Sequence, residues 1–326
     1  MGLIVDNFFT FILILNILLS FVIVFRERKE TAQTWAWLLV LMFIPIVGFI
    51  LYIFLGRGIS KDKIFDLKLQ GKIGKNLEIE EDKQALMRGL YPHPPTGLVD
   101  VKQLIYMLTV FESTLYTTRN KVTLFTDGRE KFDALLEDIK QATDHIHLQY
   151  YIYRSDTLGV EVRDALIDAA KRGVKVRVLL DAWGSTQVTA SFFDGLKAAG
   201  GEVAFFFPLF VPYINPRINY RNHRKIVVID GKIGYTGGFN VGNEYLGQVQ
   251  KFGYWRDNHL RIHGEAVYTL QNRFLMDWNS QHTKEVSYDP KFFPQIKTSG
   301  DMALQIVTSG PDTEHEQIKM TYLTVS

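Results

Sequence analysis

The chain has 326 residues, 47% of them apolar, and its 37 lysines and arginines against 35 acidic residues leave a net charge of +2. That length holds two domains, or one domain with accessory segments, and the near balance of charge excludes a protein that binds a polyanion through its overall field, so any basic site is local. There is no cysteine, which excludes disulfides, thiolate nucleophiles and cysteine-ligated zinc while leaving the compartment open.

Residues 8–25 and 35–55 carry no charged side chain, and each run is long enough to cross a bilayer as a helix. A cleaved signal peptide is disfavoured for the first run, because only Asp6 is charged ahead of it and the basic residues follow, in RERKE. Pro45 and Gly48 interrupt the second run, and a spanning helix tolerates both where neighbouring groups re-satisfy its backbone. The expectation is a two-helix transmembrane hairpin over residues 1–58, multi-pass in the cell membrane. Its downstream flank holds Arg57, Lys61, Lys63, Lys68, Lys72 and Lys75, against Arg26, Arg28 and Lys29 in the connecting loop. The heavier basic flank puts the C-terminal region on the cytoplasmic side. Residues 59–110, with LEIEEDK and YPHPPTG among them, read as a polar tether.

From Lys121 the pattern alternates. KVTLFT (121–126) is a strand closed by Asp127-Gly128, and Phe132, Leu135, Leu136 and Ile139 follow at helical spacing. HIHLQYYIY (145–153) is a strand. Asp156 or Thr157 caps a helix with Val162, Leu166, Ala169 and Ala170 on its apolar face, and Gly173 ends it. VKVRVLLD (174–181) is the next strand. A helix marked by Phe192, Phe193, Leu196 and Ala199 ends at Gly200-Gly201, before the β-like EVAFFF. Arg224–Ile229, KIGYTG and HLRIH are further strands, and a helix with Val267, Leu270, Phe274 and Trp278 on one face comes last. Such repeated units predict an α/β domain, a mixed sheet covered by helices, over residues 111–300.

The chemistry concentrates in NHRKIVVIDGKIGYTGGFN (222–240). His223 and Lys225 stand at i and i+2 where a strand begins, so both point to one face of the sheet; one can attack while the other holds a charge. Asp230-Gly231 is a tight-turn signal. Singly, the histidine reads as a half-exposed polar residue and the aspartate as a turn residue. Gly237-Gly238-Phe239-Asn240 changes that balance, because two glycines permit close backbone approach to a ligand and an amide follows. Phosphate is the natural ligand for the set.

His223-x-Lys225-x4-Asp230-x6-Gly237-Gly238-x-Asn240 resembles the signature of the phospholipase D superfamily, and the apolar N-terminal pair ending in FLGRG narrows the resemblance to the membrane-bound cardiolipin synthases. The resemblance implies a phospholipase D-like fold and catalytic residues His223, Lys225, Asp230 and Asp257. His223 is expected to attack a phosphodiester and form a phosphohistidine while a second histidine protonates the leaving alcohol. Lys225 and Asn240, with Gly237 and Gly238, would bind the phosphate oxygens. Asp257, in WRDNHLRI, matches a carboxylate that hydrogen-bonds the nucleophile's other ring nitrogen; without the resemblance it reads equally as a strand-edge partner of Arg256 or Arg261. Asp230 is expected to buttress the site. The implied reaction joins two phosphatidylglycerol molecules into cardiolipin and glycerol with no cofactor and no metal. The alternatives are a phosphodiester hydrolase of the phospholipase D type and a catalytically silent membrane fragment.

Arg217, Arg221 and Arg224 crowd the approach to His223. Nucleases share this superfamily, but two apolar runs and a near-neutral total favour an anionic phospholipid headgroup over nucleic acid, with FFFPLFVPYINP ahead of it able to dip toward acyl chains. His282-x-Lys284-x4-Asp289 repeats the spacing, yet it lacks the apolar strand, the turn glycine and the glycine-asparagine extension, and is rejected. His145 with His147, and His259 with His263, lack a third metal ligand at a recognisable spacing. Residues 302–319 resemble the opening of a second catalytic half, placed at 301–326. The expectation is a truncated product, the alternative a symmetric homodimer in which each chain supplies one motif.

Overall fold

The structure, a computed structural model, describes residues 10–12, 14–21, 31–52, 101–112, 114–189, 191–206, 221–281, 286–310 and 317–325. The chain divides into two units, Met1–Lys63 with Phe210–Asn219, and Ile64–Leu209 with Tyr220–Ser326. In the first unit residues 10–12 and 14–21 are helical, and the second apolar run forms two helices, α1 (Thr31–Phe43) and α2 (Pro45–Leu51). Proline has no amide hydrogen for the helical ladder, and the helix breaks at Ile44. A Cβ added to Gly48 would lie 2.7 Å from the Val40 carbonyl oxygen, so α2 backs closely onto α1. The second run is therefore not the single continuous helix expected. Among the described residues no helix is long and apolar enough to cross a membrane. Residues 22–30 and 53–100, which hold the hairpin loop and most of the stretch read as a tether, lie outside the described residues.

The larger unit begins with α3 (Val101–Glu112), a helix at the end of the stretch read as tether, with Ile105 packed on Tyr116. After it come β1 (Tyr116–Thr117), β2 (Asn120–Phe125), α4 (Gly128–Gln141), β3 (His145–Tyr150), α5 (Thr157–Lys171), β4 (Lys175–Asp181), α6 (Asp194–Ala198) and β5 (Glu202–Phe206). Then follow β6 (Ile226–Ile229), β7 (Ile233–Gly237), β8 (His259–Gly264), α7 (Val267–Asn279), β9 (Leu304–Gln305) and α8 (Gln317–Val325). Seven strands form one mixed sheet in the order β2-β8-β7-β6-β3-β4-β5. The β3-β4-β5 part is parallel and every other pairing is antiparallel.

Side-chain alternation along β3 explains the layers. All six of its residues are buried. Ile146, Leu148 and Tyr150 meet Phe132, Leu135 and Ile139 of α4 and Leu158, Val162 and Leu166 of α5, and each such leucine contributes about 2 kcal/mol through burial. His145, His147 and Gln149 turn the other way, toward Gln271 and Asp277 of α7. Helices thus cover both faces, as the alternating sequence implies. Asp156, one of the two expected caps, accepts the Gly159 N–H at 3.1 Å at the start of α5. The helix expected around Phe192 is shorter, with both phenylalanines in the turn ahead of α6.

Asp230 and Gly231 both adopt positive φ, 52° and 64°, which joins β6 to β7 by a tight turn. The Asp230 carboxylate reaches back to the start of β3, accepting the N–H of Thr143 at 2.9 Å, of Asp144 at 2.8 Å and of His145 at 3.0 Å, and the Thr143 hydroxyl at 2.8 Å. At the C-terminal side β9 pairs antiparallel with β1. Gln305 donates to the hydroxyls of Thr109 and Thr114 at 2.9 and 2.8 Å, and Asn120 donates to the Met302 carbonyl at 3.0 Å. The segment read as the opening of a second half is thereby paired with the start of the first.

Burial pushes the Asp230 pKa up, but the Asp144, Thr143 and His145 donors outweigh it, and the net shift is down from 3.8. Its stabilising contribution is therefore present above 3.8 and lost as pH falls through the lower folded value. Asp230→Asn, which tolerates the positive φ, is expected to cost about 2 kcal/mol at neutral pH and progressively less in acid. Urea unfolding of the detergent-solubilised chain measures both; equal stability at pH 7 would refute the assignment.

Candidate active site

The site forms where the chain enters β6. Two buried carboxylates hold Asn222 from opposite ends. Asp181, at the end of β4, accepts the Asn222 backbone N–H at 3.0 Å, and Asp277 of α7 accepts the Asn222 side-chain amide at 2.9 Å. Asp277 also takes Gln149 at 2.7 Å, Arg224 at 3.2 Å and Arg273 at 3.0 Å. Burial opposes its charge, yet Arg224 and Arg273 outweigh burial and hold the carboxyl far below the ordinary range. Arg224 further donates to the Ser309 carbonyl at 3.2 Å. With residues 222 and 224 fixed toward α7, alternation turns His223 and Lys225 to the other side.

His223 is exposed, and its ring stacks on Tyr151 with centroids 3.8 Å apart and planes at 21°. The Lys225 ammonium donates to the carbonyl of His223 at 2.7 Å. Burial and the neighbouring Lys225 lower the His223 pKa, against the opposing pull of Asp181. Burial lowers Lys225 to about 8, with Asp257 resisting. The pair thus presents an unprotonated imidazole beside an ammonium near neutral pH, which suits nucleophilic attack on a phosphodiester with charge stabilisation alongside.

The other expected residues divide. Asn240 is buried, its amide oxygen accepting the Ile152 N–H at 3.1 Å and its nitrogen donating to the Tyr245 hydroxyl at 2.9 Å. A side-chain amide has two N–H donors, and one of those of Asn240 is taken by Tyr245. Gly237 and Gly238 accommodate the chain itself. A Cβ on Gly237 would lie 2.4 Å from the Asn258 carbonyl oxygen, and one on Gly238 only 1.9 Å from Asp257 Oδ1. Their small size makes room for β8 and for that carboxylate. Asp257 accepts the Asn258 N–H at 2.7 Å and favours the charge on Lys225. Among the described residues it makes no hydrogen bond to His223; the carboxylate that acts on His223 is Asp181. Asp230 stands at the far end of β6 from His223, bound to β3, and belongs to the support of the hairpin.

On the face of the sheet that carries Lys225, a buried group backs the site. Lys131 donates to the Tyr150 hydroxyl at 2.7 Å and lies 3.5 Å from the centroid of the Phe132 ring. Burial pushes its pKa far down. The His259 pKa is pushed well down by burial, Lys131 and Lys225, and its ring nitrogens have no protein hydrogen-bond partner. His145 and His147 are committed to Gln271, at 3.1 and 2.8 Å, and His147 stacks on Phe274. The Arg221 guanidinium lies 5.6 Å from the Trp183 ring centroid. Arg217 and the aromatic loop around it fall outside the described residues, as do His282 and Lys284, whereas Asp289 accepts the Lys291 N–H at 3.0 Å and caps a short 3-10 turn. Sequence reasoning missed Tyr151, Asp181, Asn222 and Asp277. Only Asn222, adjacent to His223, carried any positional signal.

Residues 135–278 match the family described as "Cardiolipin synthase, PLD-like domain", and residues 14–57 match "Phospholipase_D-nuclease N-terminal". The chain is similar to the major cardiolipin synthase ClsA of Bacillus subtilis, 50% identical over 311 residues that make up 95% of this chain and 64% of that protein. A cardiolipin synthase of Staphylococcus aureus is 48% identical over 323 residues, 99% of this chain and 65% of that one. The chain thus spans just under two thirds of the length of these relatives. Among solved structures, phosphatidylserine synthase of Haemophilus influenzae aligns at 15% identity and a TM-score of 0.43, over 61% of this chain and 44% of that one. On the family match and the relatives, residues 135–278 are a phospholipase D-like domain of the cardiolipin synthase kind.

Proposed function

We propose that the chain carries the His223 half-site of a phosphatidyltransferase that converts two phosphatidylglycerol molecules to cardiolipin and glycerol. The observation that carries this reading is that the His223 ring and the Lys225 ammonium both lie against Tyr151, at 3.8 and 5.6 Å from its ring centroid, with the ammonium held 2.7 Å from the histidine's own carbonyl. A ring nitrogen of His223 attacks phosphorus, and the bond to the leaving glycerol breaks as that glycerol takes a proton from a second histidine. The glycerol hydroxyl of another phosphatidylglycerol then gives its proton to that second histidine and attacks the phosphohistidine, and the nitrogen–phosphorus bond breaks. Lys225 and the remaining amide hydrogen of Asn240 stabilise the charge on the non-bridging oxygens. Of the described histidines, His145 and His147 are bound to Gln271 and His259 is buried; the acid in this reading is the histidine of a second catalytic motif.

The relatives' names support a lipid substrate, and the first unit supports a bilayer as its surroundings. Phe11, Leu18, Phe21, Trp35, Met42 and Phe43 expose apolar side chains there, at the positions of the two charge-free runs. In this reading the runs form a membrane hairpin, with the catalytic unit on the side of the basic flank, the cytoplasm.

The test is cardiolipin formation from phosphatidylglycerol in liposomes carrying the chain, and His223→Ala is expected to abolish it. Phosphatidic acid as the sole product would make water the acceptor and overturn the transferase; product that survives in His223→Ala would overturn the nucleophile. The pH profile gives a second check. Attack needs His223 unprotonated, so the acid limb lies below its ordinary 6.5, and turnover needs both the acid histidine and Lys225 protonated, so the alkaline limb lies no higher than about 8, where Lys225 loses its proton. Asp257→Asn removes the charge that raises the Lys225 pKa and is expected to move the alkaline limb to lower pH. A limb unmoved by both Asp257→Asn and Lys225→Arg would exclude Lys225 as its origin.

A further inference from the structure

The His223 imidazole is exposed, a setting in which a histidine ordinarily turns freely about its side-chain bonds. Here one of its faces is covered. The Tyr151 ring lies parallel to it at 3.8 Å, and the Lys225 ammonium sits 5.6 Å from the same tyrosine ring.

Tyr151 is itself locked from below. Its carbonyl accepts the Ser185 hydroxyl at 3.1 Å, and the Ser185 hydroxyl oxygen in turn accepts the Tyr153 N–H at 3.1 Å. Gly184 lies so close that an added Cβ would be 2.1 Å from the Tyr151 carbonyl oxygen and 2.9 Å from its Cδ2. The turn carrying Gly184 and Ser185 is held by Asp181, which accepts the N–H of Trp183 at 2.9 Å and of Gly184 at 3.0 Å. The same carboxylate holds Asn222, next to His223. Both members of the stack are therefore referenced to one buried group.

We propose that Tyr151 is a positioning residue for His223, a fixed aromatic shelf that sets the plane of the imidazole for in-line attack on phosphorus. The inference rests on His223 being the attacking group. The lone pair and the N–H bond of an imidazole lie in the ring plane, so a partner stacked on the face leaves both nitrogens open while stopping rotation out of line. The shelf needs the ring and not the phenol, which separates it from a hydrogen-bonding role: Tyr151→Phe keeps it and Tyr151→Leu removes it.

The experiment is NMR of the full chain in detergent with ¹³C-labelled histidine, using His223→Gln to identify the His223 signals among the eight histidines. In the native chain and in Tyr151→Phe, the ring protons of His223 are expected upfield under the tyrosine or phenylalanine ring current. In Tyr151→Leu they are expected to return to the free-histidine position, with the His223 titration midpoint rising toward its ordinary value and the other histidines unchanged as proof of folding. Unaltered His223 signals in Tyr151→Leu would overturn the shelf. In lipid turnover, Tyr151→Leu is expected to lose about tenfold in kcat with KM nearly unchanged, and Tyr151→Phe to match the native chain; a native kcat in Tyr151→Leu would overturn the positioning role. If the NMR result holds while His223→Ala keeps full turnover, the proposed nucleophile fails, and the stacking stands without its positioning role in attack. If the signals do not move while His223→Ala is dead, the shelf alone fails.

Discussion

The site depends on how Asn222 is held. Its backbone N–H goes to Asp181 and its side-chain amide to Asp277, two carboxylates on different elements, both buried. A buried carboxylate is costly unless compensated, and Asp277 is compensated by Arg224 and Arg273 together with the amides of Gln149 and Asn222. The network therefore tolerates one register. A slip of one residue would exchange the two faces, turning His223 and Lys225 inward against α7 and leaving Arg224 outside. The phase of one strand decides which side chains are available for chemistry.

That arrangement also separates charge by depth. The anionic groups that fix the strand lie on the α7 side, whereas Lys225 lies on the other. Burial pushes the pKa of Lys131, on that same side, far down. The Asp257 carboxylate, seated against Gly238, keeps Lys225 from losing more of its proton affinity.

Alternation of strands and helices was legible because each element buries its own periodic face: β3, α5 and α7 follow the apolar pattern closely. The spacing of His223 and Lys225 was legible because a two-residue offset fixes a common face locally. Asp181, Asn222 and Asp277 were not, since their relation exists only through the packing of β4, the entry to β6, and α7. Tyr151 was hidden for a related reason, being one of several aromatic residues at the end of a strand. Gly237 and Gly238 show the limit of composition: a glycine pair signals close approach, but what approaches, here β8 and the Asp257 carboxylate, is a tertiary fact. In the second apolar run the proline was visible, and the structure breaks the helix beside it where a continuous span had been expected.

The pairing of β1 with β9 joins Tyr116 to Gln305, and β2 with β8 joins Asn120 to Gly264. During synthesis from the N-terminus these early strands emerge long before their partners, while β3, β4 and β5 can pair in sequence as they appear. Closing so long a loop costs entropy before any contact rewards it. The clasp at Gln305 therefore closes after β3, β4 and β5, and because Ser309 beyond it receives Arg224, the entry to β6 waits on a residue translated some eighty positions after it.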